Sequence, residues 1–478
     1  MKQYQLYING EFLDNGDREM LDVVNPATEE VISQVPKATE EDVAAAVDAA
    51  YEAQKAWGKV PAIERAEWLN KLADKVDENR ELFAQTNTAE MGKRINESRD
   101  EATWLGVYLR YYASLARTIK GEIITSDSPN ENIFLYKKPI GVCAGIMPWN
   151  FPLFLIGRKV APALVCGDTV VLKPSSDSPN GCFEFAKLCD EIGLPKGVVN
   201  VVSGSGAVVG NGLSANPKVA MVSMTGSTPV GKQIMKNCAE NVTKVSLELG
   251  GNAPFIAMDD CDLDATIENC FNSRYYNCGE VCNAAERVYV QAGIYDEFVA
   301  KMTERVAAAK AGDPLDESVD MGPMVNAKQR EIVLDLIQSA RDEGAKIVVG
   351  GNAIEGKGYF IEPTLIVDCD HDMRIMREEI FGPVMAVSKF ETLDEAIEKA
   401  NDTNYGLTSS IHTTDFDTAM RGLNEINFGE IYVNRHHFEA FQGFHAGVRQ
   451  SGLGGDDGEH GLEEFLETHI AYVDYKLG

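Results

Sequence analysis

Cys282 stands in "YYNCGEVCNAAERVYV" (275–290), four positions after Cys278, before a helix-like "NAAER" and a β-branched, aromatic run. A thiol there can be a metal ligand, half of a disulfide, apolar filler or a nucleophile. Zinc would need histidine or a second cysteine pair at the usual spacing, and none is near. A disulfide inside one helical turn is strained. Two other residues give a nucleophile company. Glu248, in "VSLELGGN", is a carboxylate within apolar text, costly to bury without a task or a partner. Asn150, in "PWNFP", follows a strand-like run and carries an amide that donates. Together they suit attack on a carbonyl. The thiolate adds, Asn150 and the Cys282 main-chain N–H hold the oxyanion, and Glu248 acts as general base. On the residues alone, burial of Cys282 as a small apolar side chain stays open beside this reading.

The elements that must position these groups are legible from periodicity. A Thr39 cap, first-turn acids and alanines at helical spacing predict helices from Thr39 to about Ala116, after short strands over 5–34. Residues 132–147 alternate like strands of a projecting hairpin. Beyond Pro148, strands over 168–174, 197–204, 219–226 and 244–251 alternate with helical segments, "AVVGNGLSAN" among them. This is an α/β text with a parallel, doubly wound sheet. A second α/β series runs from about Gly251 to 430–435. The final "EEFLETHIAYVDYKLG" reads as a strand seeking a partner, in another subunit if need be.

At 478 residues the chain needs two or three domains. Its net charge of −30, from 44 basic and 74 acidic side chains, opposes nucleic-acid binding and attraction to anionic membranes. The N-terminus lacks a signal-peptide core, no apolar run is long enough to span a bilayer, and ten cysteines are scattered without export signals. A cytoplasmic location is expected, with no metal.

Glycine-rich turns follow two of the strands. "GSGAVVGNG" (204–212) holds Gly204, Gly206 and Gly210 but is no strict dinucleotide fingerprint. "TGSTPVG" (225–231) follows a strand and opens a helix, so its amides and the Ser227 hydroxyl can meet a pyrophosphate. Lys173 ends another strand within reach of a ribose hydroxyl.

Five stretches, "MPWNFP", "LELGGNAPFI", "GEVCNAAERV", "EEIFGPV" and "SGLGG", together with "YINGEF" and "NPATEEVI", resemble the aldehyde dehydrogenase superfamily in order over nearly the whole chain. The resemblance implies a Rossmann-like cofactor domain (1–121 and 143–250), an α/β catalytic domain (251–435) and a small β oligomerisation element (122–142 and 455–478). It implies a dimer or tetramer whose arm extends a neighbour's sheet. Cys282 matches the nucleophile, Glu248 the base and Asn150 the oxyanion donor, through a thiohemiacetal and a thioester to a carboxylic acid. Pro148, Trp149, Lys173, Ser175, Ser176, Gly206, Gly226, Ser227, Gly231, Leu249, Gln329, Glu379 and Phe381 match cofactor contacts. Cys278 carries no role and is read as a packed neighbour.

Two departures stand out. Glu280 replaces a common glutamine and would put a charge near the thiol. Ser176 replaces a glutamate that repels the 2′-phosphate, so NAD is expected with NADP tolerated. Phe151, Leu155, Arg158, Asn283, Glu439 and His445 are expected around a small polar aldehyde, and the setting resembles lactaldehyde or glycolaldehyde dehydrogenases. Arg158 paired with Glu439 in a purely structural role is the plain alternative. A semialdehyde such as succinate semialdehyde, transfer to CoA, or a non-catalytic protein on the same fold are the rival readings.

Overall fold

Thr39 caps the helix Glu40–Trp57 reciprocally: its hydroxyl accepts from the Asp42 N–H, and the Asp42 carboxylate accepts from the Thr39 N–H. In the computed structural model, which describes residues 1–476, the helices Ala62–Glu78, Arg80–Met91 and Ile95–Ser114 follow. They pack with the apolar helix Pro152–Cys166 in one large core.

That core backs an eight-stranded sheet. Its centre is parallel, in the spatial order Lys244–Glu248, Val219–Thr225, Val142–Ile146, Thr169–Lys173, Val199–Val201. Tyr7–Ile8 with Glu11–Phe12 closes one edge antiparallel, and Gly452–Leu453 closes the other. A second, seven-stranded sheet runs Lys346–Val349, Thr364–Val367, Val384–Phe390, Ala285–Gln291, Ala253–Ala257, Thr408–His412, Glu430–Val433, with only the first strand antiparallel. Between the sheets lies the link from Glu248 to Ala253, so Glu248 sits at a strand's carboxyl end, where α/β sheets bind ligands.

The structure corrects three local expectations and fulfils a fourth. Residues 132–147 are not one hairpin: Glu131–Pro139 pairs with Glu122–Thr125, while Val142–Ile146 joins the large sheet. The C-terminal strand Leu466–Asp474 finds its partner in its own chain, antiparallel to Glu131–Pro139, because the two alternating segments match over nine positions. Residues 477–478 of the proposed arm lie outside the described residues. "NAAER" is not helical, since the strand already begins at Ala285. "AVVGNGLSAN" forms only a wide turn, Gly206–Gly210, and a four-residue helix, because its glycines do not sustain more.

Candidate active site

The cysteine loop is made by backbone that the sequence pattern does not announce. The helix Leu263–Tyr275 runs into Tyr276–Gly279, where Asn277, Cys278 and Gly279 take φ of 48°, 55° and 72°. Left-handed conformations cost about 1–3 kcal/mol each for ordinary residues, so this turn must be held from outside. Asn277 does so: its N–H donates to Glu97 at 3.2 Å and its amide to the carbonyls of Asn150 and Glu280 at 3.3 and 3.1 Å. At Gly279 a Cβ would lie 2.2 Å from the Gly382 carbonyl oxygen, so only glycine fits. The turn separates the two thiols. Cys278 points into the core, 3.5 Å from the Gly322 carbonyl and 3.7 Å from Met324 Sδ, while Cys282 is partly exposed in a cavity of about 640 Å³.

Glu280 turns away from Cys282. Its carboxyl accepts from the Val325 N–H at 3.1 Å, and burial pushes its pKa far up, which works against the charge expected near Cys282. The cost of that burial falls on Glu280 itself.

Asn150 occupies the turn before Pro152–Cys166. Its side-chain amide donates to the Glu280 carbonyl at 3.0 Å, which leaves its second amide proton for the cavity. The Cys282 main-chain N–H donates to no protein group among the described residues. Asn150 is fixed from behind by Lys93, whose ammonium donates to its carbonyl at 2.8 Å and is paired with Glu101. Glu101 also accepts from the N–H groups of Leu153 and Phe154, at the positive end of the same helix.

Glu248 is buried, and neither of its oxygens has a hydrogen-bond partner in the protein. Burial pushes its pKa up to about 8, against the pull of His445 nearby. His445 does not line the cavity with the substrate residues expected from sequence. It lies outside the lining, with Nε2 3.7 Å from Glu248 and Nδ1 2.5 Å from Glu430.

Arg158 does line the cavity, and it is paired twice. Its Nε donates to Asp457 at 3.0 Å and its Nη2 to Asp457 and Glu439 at 2.5 and 3.1 Å. The other Glu439 oxygen accepts from the Asn283 amide at 2.7 Å. Asp457 went unread in the sequence, although two adjacent acids between glycines, "GGDDG", were a signal. Phe151 stacks on Tyr276 under the Lys93 ammonium, and Leu155 adds apolar wall.

On the other side of the cavity Pro148, Trp149, Gly226, Ser227, Leu249, Gln329, Glu379 and Phe381 converge. Trp149 meets Phe381 edge-on at 5.4 Å, and Gln329 donates to the Phe381 carbonyl at 3.0 Å. The buried Glu286, paired with Arg274, accepts from the N–H groups of Ile380 and Phe381 and so sets Phe381 in its left-handed conformation. Glu379 accepts from the Gly251 N–H at 2.8 Å. Ser227 opens the helix Thr228–Ala239 without a side-chain cap, leaving its hydroxyl and the first-turn amides for a phosphate. Lys173, Ser175, Ser176 and Gly206 lie outside this cavity, at or just past the ends of neighbouring strands of the same sheet. Nothing would crowd a Cβ at Gly206, so the turn is open above it. Gly231 is different: a Cβ there would meet Leu249 at 2.6 Å, so it seats the helix against Leu249 rather than facing the cavity.

A partly exposed cysteine on a loop between two α/β sheets, with a capless helix end across the cavity, is the arrangement expected of an oxidoreductase that handles carbonyls beside a dinucleotide. The Aldehyde dehydrogenase family profile matches residues 12–471. The chain is 50% identical over 98% of its length to lactaldehyde dehydrogenase of Escherichia coli, covering 98% of that protein. It is 40% identical over 99% of its length to a D-glyceraldehyde dehydrogenase (NADP(+)) of Picrophilus torridus, covering 97% of it. The crystal structure of the E. coli lactaldehyde dehydrogenase superposes with a TM-score of 0.98, over 99% of both chains. The chain therefore belongs to the aldehyde dehydrogenase family and is an oxidoreductase acting on aldehydes with NAD(P). No described helix is long and apolar enough to cross a membrane.

Proposed function

We propose that this protein oxidises a small, uncharged hydroxyaldehyde of the lactaldehyde or glycolaldehyde kind to its acid. The observation that carries this reading is the pairing of Arg158 with both Asp457 and Glu439. A lone buried guanidinium would seek a substrate carboxylate. One already matched by two acids offers an anionic semialdehyde no net attraction. Glu439, steadied by Asn283, keeps acceptor capacity for a substrate hydroxyl.

The Cys282 thiolate adds to the aldehyde carbon. The oxyanion that forms accepts hydrogen bonds from the second Asn150 amide proton and from the Cys282 N–H, donors that need no reorganisation. When bound, the nicotinamide supplies the hydride acceptor. Glu248 then takes a proton from water as that water attacks the thioester carbon, and the C–S bond breaks to release the acid and Cys282. Trp149, Leu249, Glu379 and Phe381 would hold the nicotinamide half, with Gln329 steadying Phe381. Ser227 and the helix it opens would hold the phosphates, and Lys173, Ser175, Ser176 and Gly206 the adenosine end. We infer NAD as the preferred form, since no basic cluster flanks Ser176. The serine lacks the carboxylate that would repel a 2′-phosphate, so NADP is accepted too.

Residues 1–121 and 143–250 are read as the cofactor-binding part, 251–435 as the catalytic part, and 122–142 with 455–478 as the oligomerisation element. Exposed Ile123, Ile470 and Tyr472 on the small three-stranded sheet support a dimer or tetramer built through it. Ten free thiols suit a reducing cytoplasm.

The test is a panel of lactaldehyde, glycolaldehyde, succinate semialdehyde, betaine aldehyde and a long aliphatic aldehyde, each with NAD and NADP. The two hydroxyaldehydes are expected to give the highest kcat/KM. A preference for the semialdehyde or the aliphatic aldehyde would overturn the reading.

A further inference from the structure

The two oxyanion donors come from different halves of the molecule. Asn150 lies in the turn after a strand of the first sheet, and the Cys282 main-chain N–H lies in the loop that leads into a strand of the second. No shared element of secondary structure sets their spacing. Hydrogen bonds from both sides meet instead at the Asn150 carbonyl. Asn277, on the cysteine loop, donates its amide to that carbonyl at 3.3 Å and to the Glu280 carbonyl at 3.1 Å. The Asn150 amide donates to the same Glu280 carbonyl at 3.0 Å. The Asn277 side-chain oxygen is buried without a partner among the described residues, so this side chain is used for what it donates. Lys93 takes the second lone pair of the Asn150 carbonyl, at 2.8 Å.

Lys93 stands in the short link between the helices Arg80–Met91 and Ile95–Ser114. Its side chain is fully buried, as is that of Glu101, its ion-pair partner. The ammonium meets Glu101, the Asn150 carbonyl and the face of Phe151, 3.6 Å from the ring centroid, so its three donors are all engaged. Glu101 is as fully committed, accepting from the Asn87 amide at 2.8 Å and from the Leu153 and Phe154 N–H groups at 2.8 and 3.1 Å. The pair thus grips both ends of the segment 150–154. The link that carries Lys93 is itself seated on the second half of the chain, where Arg94 donates to the Val319 carbonyl at 3.1 Å and the Ile95 N–H to the Pro314 carbonyl at 2.8 Å. An apolar pair of similar volume often serves stability as well as a buried ion pair, so fold stability alone does not account for these two residues.

We propose that Lys93 is a positioning residue for the reaction, holding the Asn150 amide in register with the Cys282 N–H so that both donors face the developing oxyanion at once. It acts through the Asn150 carbonyl, and Glu101 keeps it there. A donor aimed before the reaction starts needs no rearrangement when the charge appears, which is where such a residue gains rate. The inference rests on the reading of Cys282 as nucleophile and Asn150 as oxyanion donor.

The experiment is steady-state kinetics with thermal melting for the wild type, Lys93→Met and the combined Lys93→Met/Glu101→Gln, each with and without Asn150→Ala. The combined variant leaves no charge buried alone, and the glutamine oxygen still accepts from the helix N–H groups, so its melting temperature is expected to stay near the parent's. In both Lys93 variants kcat is expected to fall by about ten- to a hundredfold with KM unchanged, the loss that a misplacement of about 1 Å brings. In the Asn150→Ala background the same substitutions are expected to cost no further rate, because the group they position is gone. Lys93→Arg, which keeps a donor, is expected to recover part of the loss. Should Lys93→Met alone fail to fold, the combined variant and Lys93→Arg carry the test. Parental kcat in the combined variant overturns the proposal, and so does an equal loss with and without the Asn150 amide. A rise in KM with kcat intact overturns it too, assigning Lys93 to the Phe151 wall. If instead Asn150→Ala or Cys282→Ala runs at the parental rate, the catalytic reading itself fails, whatever the Lys93 variants do.

Discussion

The two walls of the cavity are built on opposite plans. On the side proposed for the nicotinamide, Pro148, Trp149, Leu249 and Phe381 give an aromatic and aliphatic face that leans on strand ends and one helix start, with Glu379 as the only acidic or basic side chain among the described residues there. On the thiol side, Arg158, Glu439 and Asn283 line the cavity, and Asp457, His445, Glu430 and Glu248 stand behind them, most of them buried, the charged groups joined by ion pairs and Asn283 by a hydrogen bond to Glu439. A dinucleotide brings its own charge and needs shape and a few donors. A thiol that must ionise, add and later release an acyl group needs its charges supplied and balanced by the protein. The difference teaches where substitutions hurt: on the first wall they alter which cofactor binds, on the second they alter whether the reaction runs.

The strongest way to break that contrast is Asn150→Ala. With the side-chain donor gone, kcat is expected to fall by about 10²–10³-fold with KM little changed, read by steady-state kinetics. An equal rise in KM with unchanged kcat would place Asn150 with the binding wall instead. Next comes Glu248. Its carboxyl, raised by burial to about 8, holds a proton at lower pH and becomes a base only as pH rises through that value. Turnover by hydrolysis is therefore expected to climb with pH to a plateau above about 8. Glu248→Gln removes that limb, lowers kcat by about 10²-fold and leaves a burst of NADH with acyl-enzyme detectable by mass spectrometry. The smallest effect is expected from Ser176→Glu. A carboxylate at this exposed position should lower kcat/KM with NADP by about tenfold and leave NAD and the aldehyde preference alone. A change in aldehyde preference would show that the adenosine end and the thiol wall are not independent.

The sheet framework beside the cavity was readable in the sequence because it follows from local pattern, whereas Trp149, Leu249, Gln329, Glu379 and Phe381 came only from the family resemblance. Strand, glycine turn and helix recur in order over 168–251, and the Ser227 turn is where a strand-to-helix step predicts it. The thiol side was readable in its reactive types and in the Arg158–Glu439 pair. Glu248 announced itself as a charge in apolar text, but the remaining partners did not. Asp457, with φ of 72°, and Glu430 lie far along the chain from Arg158 and Cys282, and no periodicity links them. The same limit explains His445, which is paired with Glu430 rather than lining the cavity, and Gly231, whose missing Cβ makes room for Leu249. Glu280 shows the converse: read as a charge on the thiol, it is turned off that path by the left-handed run at Asn277–Gly279, which sequence does not reveal.

The in-chain pairing of Leu466–Asp474 with Glu131–Pro139 also ties distant parts of the chain together. Asp456 and Asp457, the partners of Lys159 and Arg158, sit just ahead of the short helix Gly458–Glu464 and this strand. Those acids lie 297 and 299 positions along the chain from the cations they neutralise on an apolar helix. The same short stretch that balances the charge beneath the cavity thus leads straight into the strand that pairs with the arm, so the chamber and the arm share one tether.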